Sequence, residues 1–166
     1  MASTFQSSRF GTLTFDEAAV LRIPRGLIGI PDDTWLLVTR EPDSPFMWLQ
    51  SLIDPDLAIV VTRPERFFPD YQLQISQDQL TALGFTDGHL VETLCLVRAD
   101  QDITAFTINL LGPLVFDADT QTGAQLVNLA DYEVAESLWK ERGINQLEDL
   151  PQLKLPVILV TTSEEA

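Results

Sequence analysis

The hydrophobic pattern of the chain falls into short extended runs, and the most informative is Phe46 to Ile53, with an aromatic face and an aliphatic one. In an extended segment Phe46, Trp48, Gln50 and Leu52 share one face, and Met47, Leu49, Ser51 and Ile53 share the other. Asp54-Pro55-Asp56 then turns the chain. Proline fixes φ, and aspartate carboxylates accept from nearby backbone N–H groups. Leu57 to Val61 is an unbroken apolar run, the pattern of a strand covered on both faces, and Pro64 ends it. Phe67-Phe68-Pro69-Asp70-Tyr71 follows, an aromatic cluster held by a proline.

The same logic covers the rest of the chain. Phe5 to Phe15 reads as a bent strand or hairpin around Gly11, and Val20 to Ile23 as a short strand stopped by Pro24. Gly26 and Gly29 bracket a turn that needs unusual φ values. Pro31 to Asp33 reads as one helical turn and Trp35 to Thr39 as a strand. Gln72 to Ile75 alternates and is expected to be half-buried. Ser76-Gln77-Asp78-Gln79 is a capping box, with Ile75 and Leu80 at the staple positions and Gly84 placed to end the helix. Leu90 to Val97, Ile103 to Leu110 and Leu114 to Asp117 read as strands, and Thr120 to Gly123 as a hairpin turn into Ala124 to Leu129. From Tyr132 to Arg142 the period changes: Val134, Leu138 and Trp139 stand at helical spacing and Gly143 is placed to cap the end. Residues 144 to 156 look loop-like, Leu155 to Val160 reads as an edge or added strand, and Ser163 to Ala166 as a frayed end.

Regular short strands with proline and glycine turns predict a single all-β domain, either barrel or sandwich, with short helices at about 77–83 and 133–142. The 166 residues suit one domain with a sizeable core, and 45% apolar residues suit a folded chain.

Charge narrows the function. Ten basic and 25 acidic residues give a net charge of −15. Direct binding to nucleic acid is disfavoured, because that affinity comes mostly from Lys and Arg meeting phosphates. An anionic membrane surface is disfavoured likewise, and a basic protein partner is favoured. The chain has one cysteine, Cys95, so it forms no internal disulfide. Without a signal-like N-terminal apolar region or a run of about 18 apolar residues, a cytoplasmic protein is expected.

Catalytic and metal-binding groups are sparse. His89, the single histidine, follows Asp87-Gly88 in a turn and reads as a surface residue. Cys95 lies in an apolar strand, which offers neither thiolate character nor access. Asp54, Asp56 and Asp70 read as turn aspartates rather than ligands, since hard cations need several oxygens around one point. No glycine-rich phosphate loop follows a strand. No enzyme activity, metal or cofactor is therefore expected. Phe67, Phe68 and Tyr71 lie with Asp70 in a loop-like segment, and aromatics exposed beside carboxylates make a protein-binding anchor. Asp54, Asp56, Phe67, Phe68, Asp70 and Tyr71 are the candidate partner-binding residues.

A set of ordered pieces carries a family resemblance. Trp48-Leu49-Gln50-Ser51, Asp54-Pro55-Asp56-Leu57-Ala58, the Thr62-Arg63-Pro64 step and Phe67-Phe68-Pro69-Asp70-Tyr71 resemble the FliW flagellar assembly factor family in order and spacing. Ile23-Pro24-Arg25-Gly26-Leu27-Ile28-Gly29 and Asn109-Leu110-Leu111-Gly112-Pro113-Leu114-Val115 are similar to its early Pro–Gly segment and its late strand entry. The resemblance spans roughly residues 4 to 132. It implies a small β-barrel domain over 1–132 and a cytoplasmic, chaperone-like protein that binds flagellin before export. It also implies binding of the RNA-binding translational regulator CsrA, in competition with flagellin, which relieves repression of flagellin messenger RNA. The C-terminus departs from the family pattern: Tyr132 is followed by Glu133-Val134-Ala135-Glu136 and a further stretch too apolar for a linker. Residues 133–166 are therefore expected to dock on the same domain. The alternative function is a non-catalytic β-barrel that binds an apolar small molecule or another basic protein, and a filled interior would argue against its small-molecule form.

Overall fold

The structure is a computed structural model, and it describes residues 2–85, 91–139 and 153–160. His89 and the 140–142 end of the expected second helix lie outside the described residues, as do Gly143, Leu150 and the end from Ser163.

The chain opens with a hairpin, β1 (Ala2–Ser7) and β2 (Gly11–Asp16), whose strands pair only with each other. Next come β3 (Leu21–Arg22), β4 (Thr34–Thr39), β5 (Phe46–Ser51) and β6 (Ala58–Thr62). A short α-helix, α1 (Gln77–Ala82), precedes β7 (Val91–Arg98), β8 (Thr107–Ile108), β9 (Leu114–Asp117) and β10 (Thr122–Gln125). Two-residue strands β11 (Glu136–Ser137) and β12 (Ile158–Leu159) complete the order. The fold is mainly β, as the period-two pattern predicts.

The pairings run β7-β6-β5-β4-β3-β10-β9, and β9 pairs back to β7, so the main strands close into a ring. Inside it Leu21, Ile23, Trp35, Leu37, Leu49, Leu94, Leu114 and Phe116 are fully buried and pack together. Alternation decides which side chains these are: Met47 and Leu49 of β5 point to this cluster, while Trp48 packs outside with Phe10, Leu36 and Val38 beneath the β1–β2 hairpin. Gly123 is required by this packing, because a Cβ there would lie 2.5 Å from the Phe116 ring and from the Val115 carbonyl oxygen. The filled interior weighs against a ligand-holding barrel.

Only the serine half of the capping box forms, since Gln79 Oε1 is buried without a hydrogen-bond partner among the described residues and does not reach back to the Ser76 N–H. Ser76 Oγ accepts from the Gln79 N–H at 3.2 Å, and the Phe85 N–H donates to the Leu80 carbonyl across Gly84, whose φ is +80°. Ile75 and Leu80 pack in one cluster with Phe85, Val115 and Leu126.

Three expectations are corrected. Pro31 to Asp33 forms no helical turn; the Asp33 carbonyl instead accepts from the Ile23 N–H, which spends the segment on bridging β3 to β4. Ile103 to Leu110 is not one strand, because Asp102 caps a 3-10 turn at Ile103–Ala105, accepting from the Thr104 N–H and hydroxyl, and only Thr107–Ile108 pairs. The second helix is absent from residues 133–139, where Glu136 and Ser137 pair with β8. The Leu110 N–H donates to the Glu133 carbonyl and the Leu138 N–H to the Phe106 carbonyl on either side of that pairing. A helix of about ten residues is marginal by itself, and the open edge of β8 offers backbone partners at once. The helical spacing of Val134 and Leu138 is also not a shared face, since Leu138 is buried and Val134 exposed.

Candidate partner-binding surface

The turn after β5 is built around one buried amide. Gln50 is fully buried; its Nε2 donates to the Ser51 carbonyl at 2.9 Å and the Leu57 carbonyl at 3.2 Å, with longer contacts to the Asp54 and Pro55 carbonyls. Its Oε1 accepts from Ser7 Oγ at 2.7 Å, which ties the turn to the first hairpin. Ser8 adds a backbone N–H to the Pro55 carbonyl at 3.0 Å and a hydroxyl to Asp56 Oδ1. Asp54 Oδ1 accepts from the Asp56 N–H at 2.9 Å, the aspartate turn that the sequence predicts.

Asp54 and Asp56 are both exposed here, and the fold brings further carboxylates beside them. Trp35 pairs with Ser51, and Ser51 Oγ donates to Asp32 Oδ2 at 2.6 Å, so the entry to β4 lies against the exit from β5. Asp33 is exposed next to it, and Ile53 stands in the same turn with 60% of its surface exposed. The result is an exposed apolar residue in the turn that carries Asp54 and Asp56, with Asp32 held to that turn through Ser51. Among the described residues no group of three or more His, Cys, Asp or Glu is arranged to hold a metal ion.

The other candidate residues lie elsewhere. β6 separates the two sets, and its five residues span about 16 Å at strand rise. Asp70 is exposed, but Phe67 and Phe68 are buried, which corrects the expectation that this segment offers its rings to solvent. Phe67 stacks on Phe46 with centroids 5.6 Å apart and meets the Trp139 ring edge-on at 5.4 Å. Both N–H groups, of Phe67 and Phe68, donate to the Pro64 carbonyl, which curls the segment inward. Tyr71 is half-buried: its hydroxyl donates to the Leu110 carbonyl at 2.9 Å and accepts from Asn128 Nδ2 at 2.9 Å, and its ring lies 4.8 Å from that of Tyr132. Burial, with Cys95 adjacent, pushes the Tyr71 phenol up. The Cys95 thiol is pushed up by its own burial, so it is held as a neutral thiol rather than a nucleophile.

Comparison with known proteins now places this arrangement. Residues 4–138 match the family described as FliW protein.

The chain belongs to the FliW family.

It is 37% identical over 123 residues to flagellar assembly factor FliW 2 of Desulfotalea psychrophila, covering 72% of this chain and 80% of that protein. It is 35% identical over 140 residues to flagellar assembly factor FliW of Natranaerobius thermophilus, covering 82% and 93%. A crystal structure of the flagellar assembly factor FliW superposes with a TM-score of 0.75 at 24% identity, covering 84% of this chain and 99% of that one, and shows the same fold. The FliW match takes in both the acidic turn and the aromatic segment, and it ends one residue before Trp139. Asp32, Asp33 and Ile53 were missed by reasoning from the sequence. Period-two alternation puts Ile53 on the inward face with Met47, Leu49 and Ser51, and only the end of β5 at Ser51 turns it to solvent, whereas Asp32 and Asp33 come to the turn only through the pairing of β4 with β5. No described helix is long and apolar enough to cross a membrane.

Proposed function

We propose that this chain is a cytoplasmic flagellar assembly factor that acts by binding proteins rather than by catalysis. It holds flagellin before export, in a chaperone-like role. It binds the translational regulator CsrA in competition with flagellin, and so relieves repression of flagellin messenger RNA. Residues 1–132 form the family domain in this reading, and 133–166 are an extension docked upon it. The observation that carries the proposal is the exposed Ile53 in the same turn as the exposed Asp54 and Asp56, on a chain of net charge −15. An apolar anchor beside charges of one sign suits a basic protein partner. RNA phosphates would be repelled by the same field. Of the residues singled out from sequence, Asp54 and Asp56 belong to this surface. Asp70 is exposed at a separate place, and Phe67, Phe68 and Tyr71 support the fold behind it.

Titration of the full chain against purified CsrA by calorimetry, with and without saturating flagellin, tests the proposal. Heat is expected with each partner alone, and none from the second once the first is saturating. No heat with either partner, both being folded, would overturn it.

A further inference from the structure

Residues 153–160 lie beyond the FliW match yet reach two parts of the core. Leu155 is 3% exposed, inside the ring with Trp35, Leu37, Leu94 and Phe116. Ile158 and Val160 pack outside the ring with Phe10, Leu13, Leu36 and Val38. Between these contacts β12 runs parallel to β4, with Ile158 opposite Val38 and Leu159 opposite Thr39. The Val160 N–H donates to the Thr39 carbonyl at 2.8 Å.

Val38 pairs with Trp48 of β5 as well as with Ile158, so β12 lies on the side of β4 away from β5. That is the side of β3, and β3 covers only Thr34 and Trp35. The ring therefore leaves the Val38–Thr39 end of β4 open on that side, and residues 158–160 occupy it. An open strand edge is a template for another strand. The occupant is held by two paired residues, the buried Leu155, the packing of Leu153, Ile158 and Val160, and the Lys154 N–H donating to Glu92 Oε2 at 2.9 Å, while Val157 and Leu159 face solvent at 37% and 52% exposure. A segment with only two paired residues opens locally at lower cost than the strands of the ring.

We propose that this end of β4 is a strand-accepting site for an extended segment of a partner protein, and that the chain's own residues 153–160 fill it in the partner's absence. The occupant shows the chemistry the site takes. A leucine enters the ring interior, a proline follows, and two branched apolar residues at alternate positions pack under the first hairpin. The one charged residue of 153–160 is Lys154, and on a chain of net charge −15 a cationic segment is the favoured partner. The site lies at the opposite end of β4 from the acidic turn, and it does not depend on the identity of the partner bound there.

The test uses the full chain and a fluorescein-labelled peptide of sequence 153–160. Val160→Pro removes the donor to Thr39 and frees the edge without cutting the core. A competitor in cis lowers apparent affinity by the fraction of time the site is open, so Val160→Pro should bind the peptide at least about tenfold more tightly than the unaltered chain in fluorescence anisotropy. Bound peptide should also slow hydrogen exchange in 34–39, and a peptide with proline at the positions of Ile158 and Val160 should do neither. If Val160→Pro fails to fold, Leu155→Ala loosens the same segment with every backbone group intact, and the same gain is expected. Equal peptide affinity for the unaltered chain and a folded variant would overturn the proposal. So would a variant that ignores the peptide and sediments as a dimer, since the edge would then belong to a second copy.

Discussion

The turn at 54–56 and the segment at 67–71 sit at the two ends of β6, and both combine proline with aspartate. Their fates differ because of what lies between the polar residues. In the first, no aromatic ring stands beside the carboxylates, and the backbone is held by Gln50, Ser7 and Ser8, which leaves Ile53, Asp54 and Asp56 facing water. In the second, Phe67 finds Phe46 and Trp139 while Phe68 is buried in the same cluster, and burying the two rings brings more than exposure would. A loop-like composition thus marks a surface only where no unpaired apolar face of the fold stands ready to receive its rings.

Substitutions can break this contrast. Phe67→Ala has the largest expected effect, a loss of about 3–5 kcal/mol of stability from the cavity among Phe46, Phe106 and Trp139, read by denaturant unfolding. The affinity of the surviving folded protein for CsrA should be nearly unchanged. A loss of affinity without a loss of stability would move Phe67 back to the binding surface.

Ile53→Ser should act in the opposite sense. Its stability should be close to that of the unaltered chain, and its CsrA complex should dissociate faster, costing about 1–3 kcal/mol of affinity. Surface plasmon resonance separates the two rates. An unchanged off-rate would remove Ile53 as the anchor.

Tyr71→Phe tests whether the aromatic segment holds the C-terminal region through its hydroxyl. It leaves the Leu110 carbonyl and one Asn128 donor unpaired, for an expected cost of about 1–2 kcal/mol in thermal or chemical unfolding, with CsrA affinity retained. The smallest effect is expected from Asp54→Lys with Asp56→Lys. Rim charges act mainly on encounter, so association should slow and lose salt dependence while the off-rate changes little. An off-rate that rises as much as the on-rate falls would show these carboxylates to be buried in the complex.

The strands and the first helix were legible in the sequence for a physical reason: local alternation and the Ser76 cap need no distant partner to act. One error is local, the Asp102 cap that turns Ile103–Ala105 out of a strand, and the others fall where distant partners decide. Val134, Leu138 and Trp139 carry helical spacing, but the edge of β8 and the ring of Phe67 are not visible from that stretch. The acidic turn was half legible, since Asp54 and Asp56 announce a turn while Asp32 and Asp33 join it only once β4 pairs with β5. Phe67 and Phe68 read as loop aromatics because the rings that receive Phe67, Phe46 and Trp139, stand far off in the sequence, although the Pro64 carbonyl that curls the segment is only three and four residues away.

The Gln50 amide has a thermodynamic consequence. It fixes the Ser51 and Leu57 carbonyls from within the protein, so the turn beside it has little shape left to choose. A partner that docks on Ile53 and its carboxylates would meet a preorganised loop and would not need to supply the ordering entropy that flexible loops demand. The heat-capacity change of association should then follow the apolar area covered, with no added contribution from coupled folding.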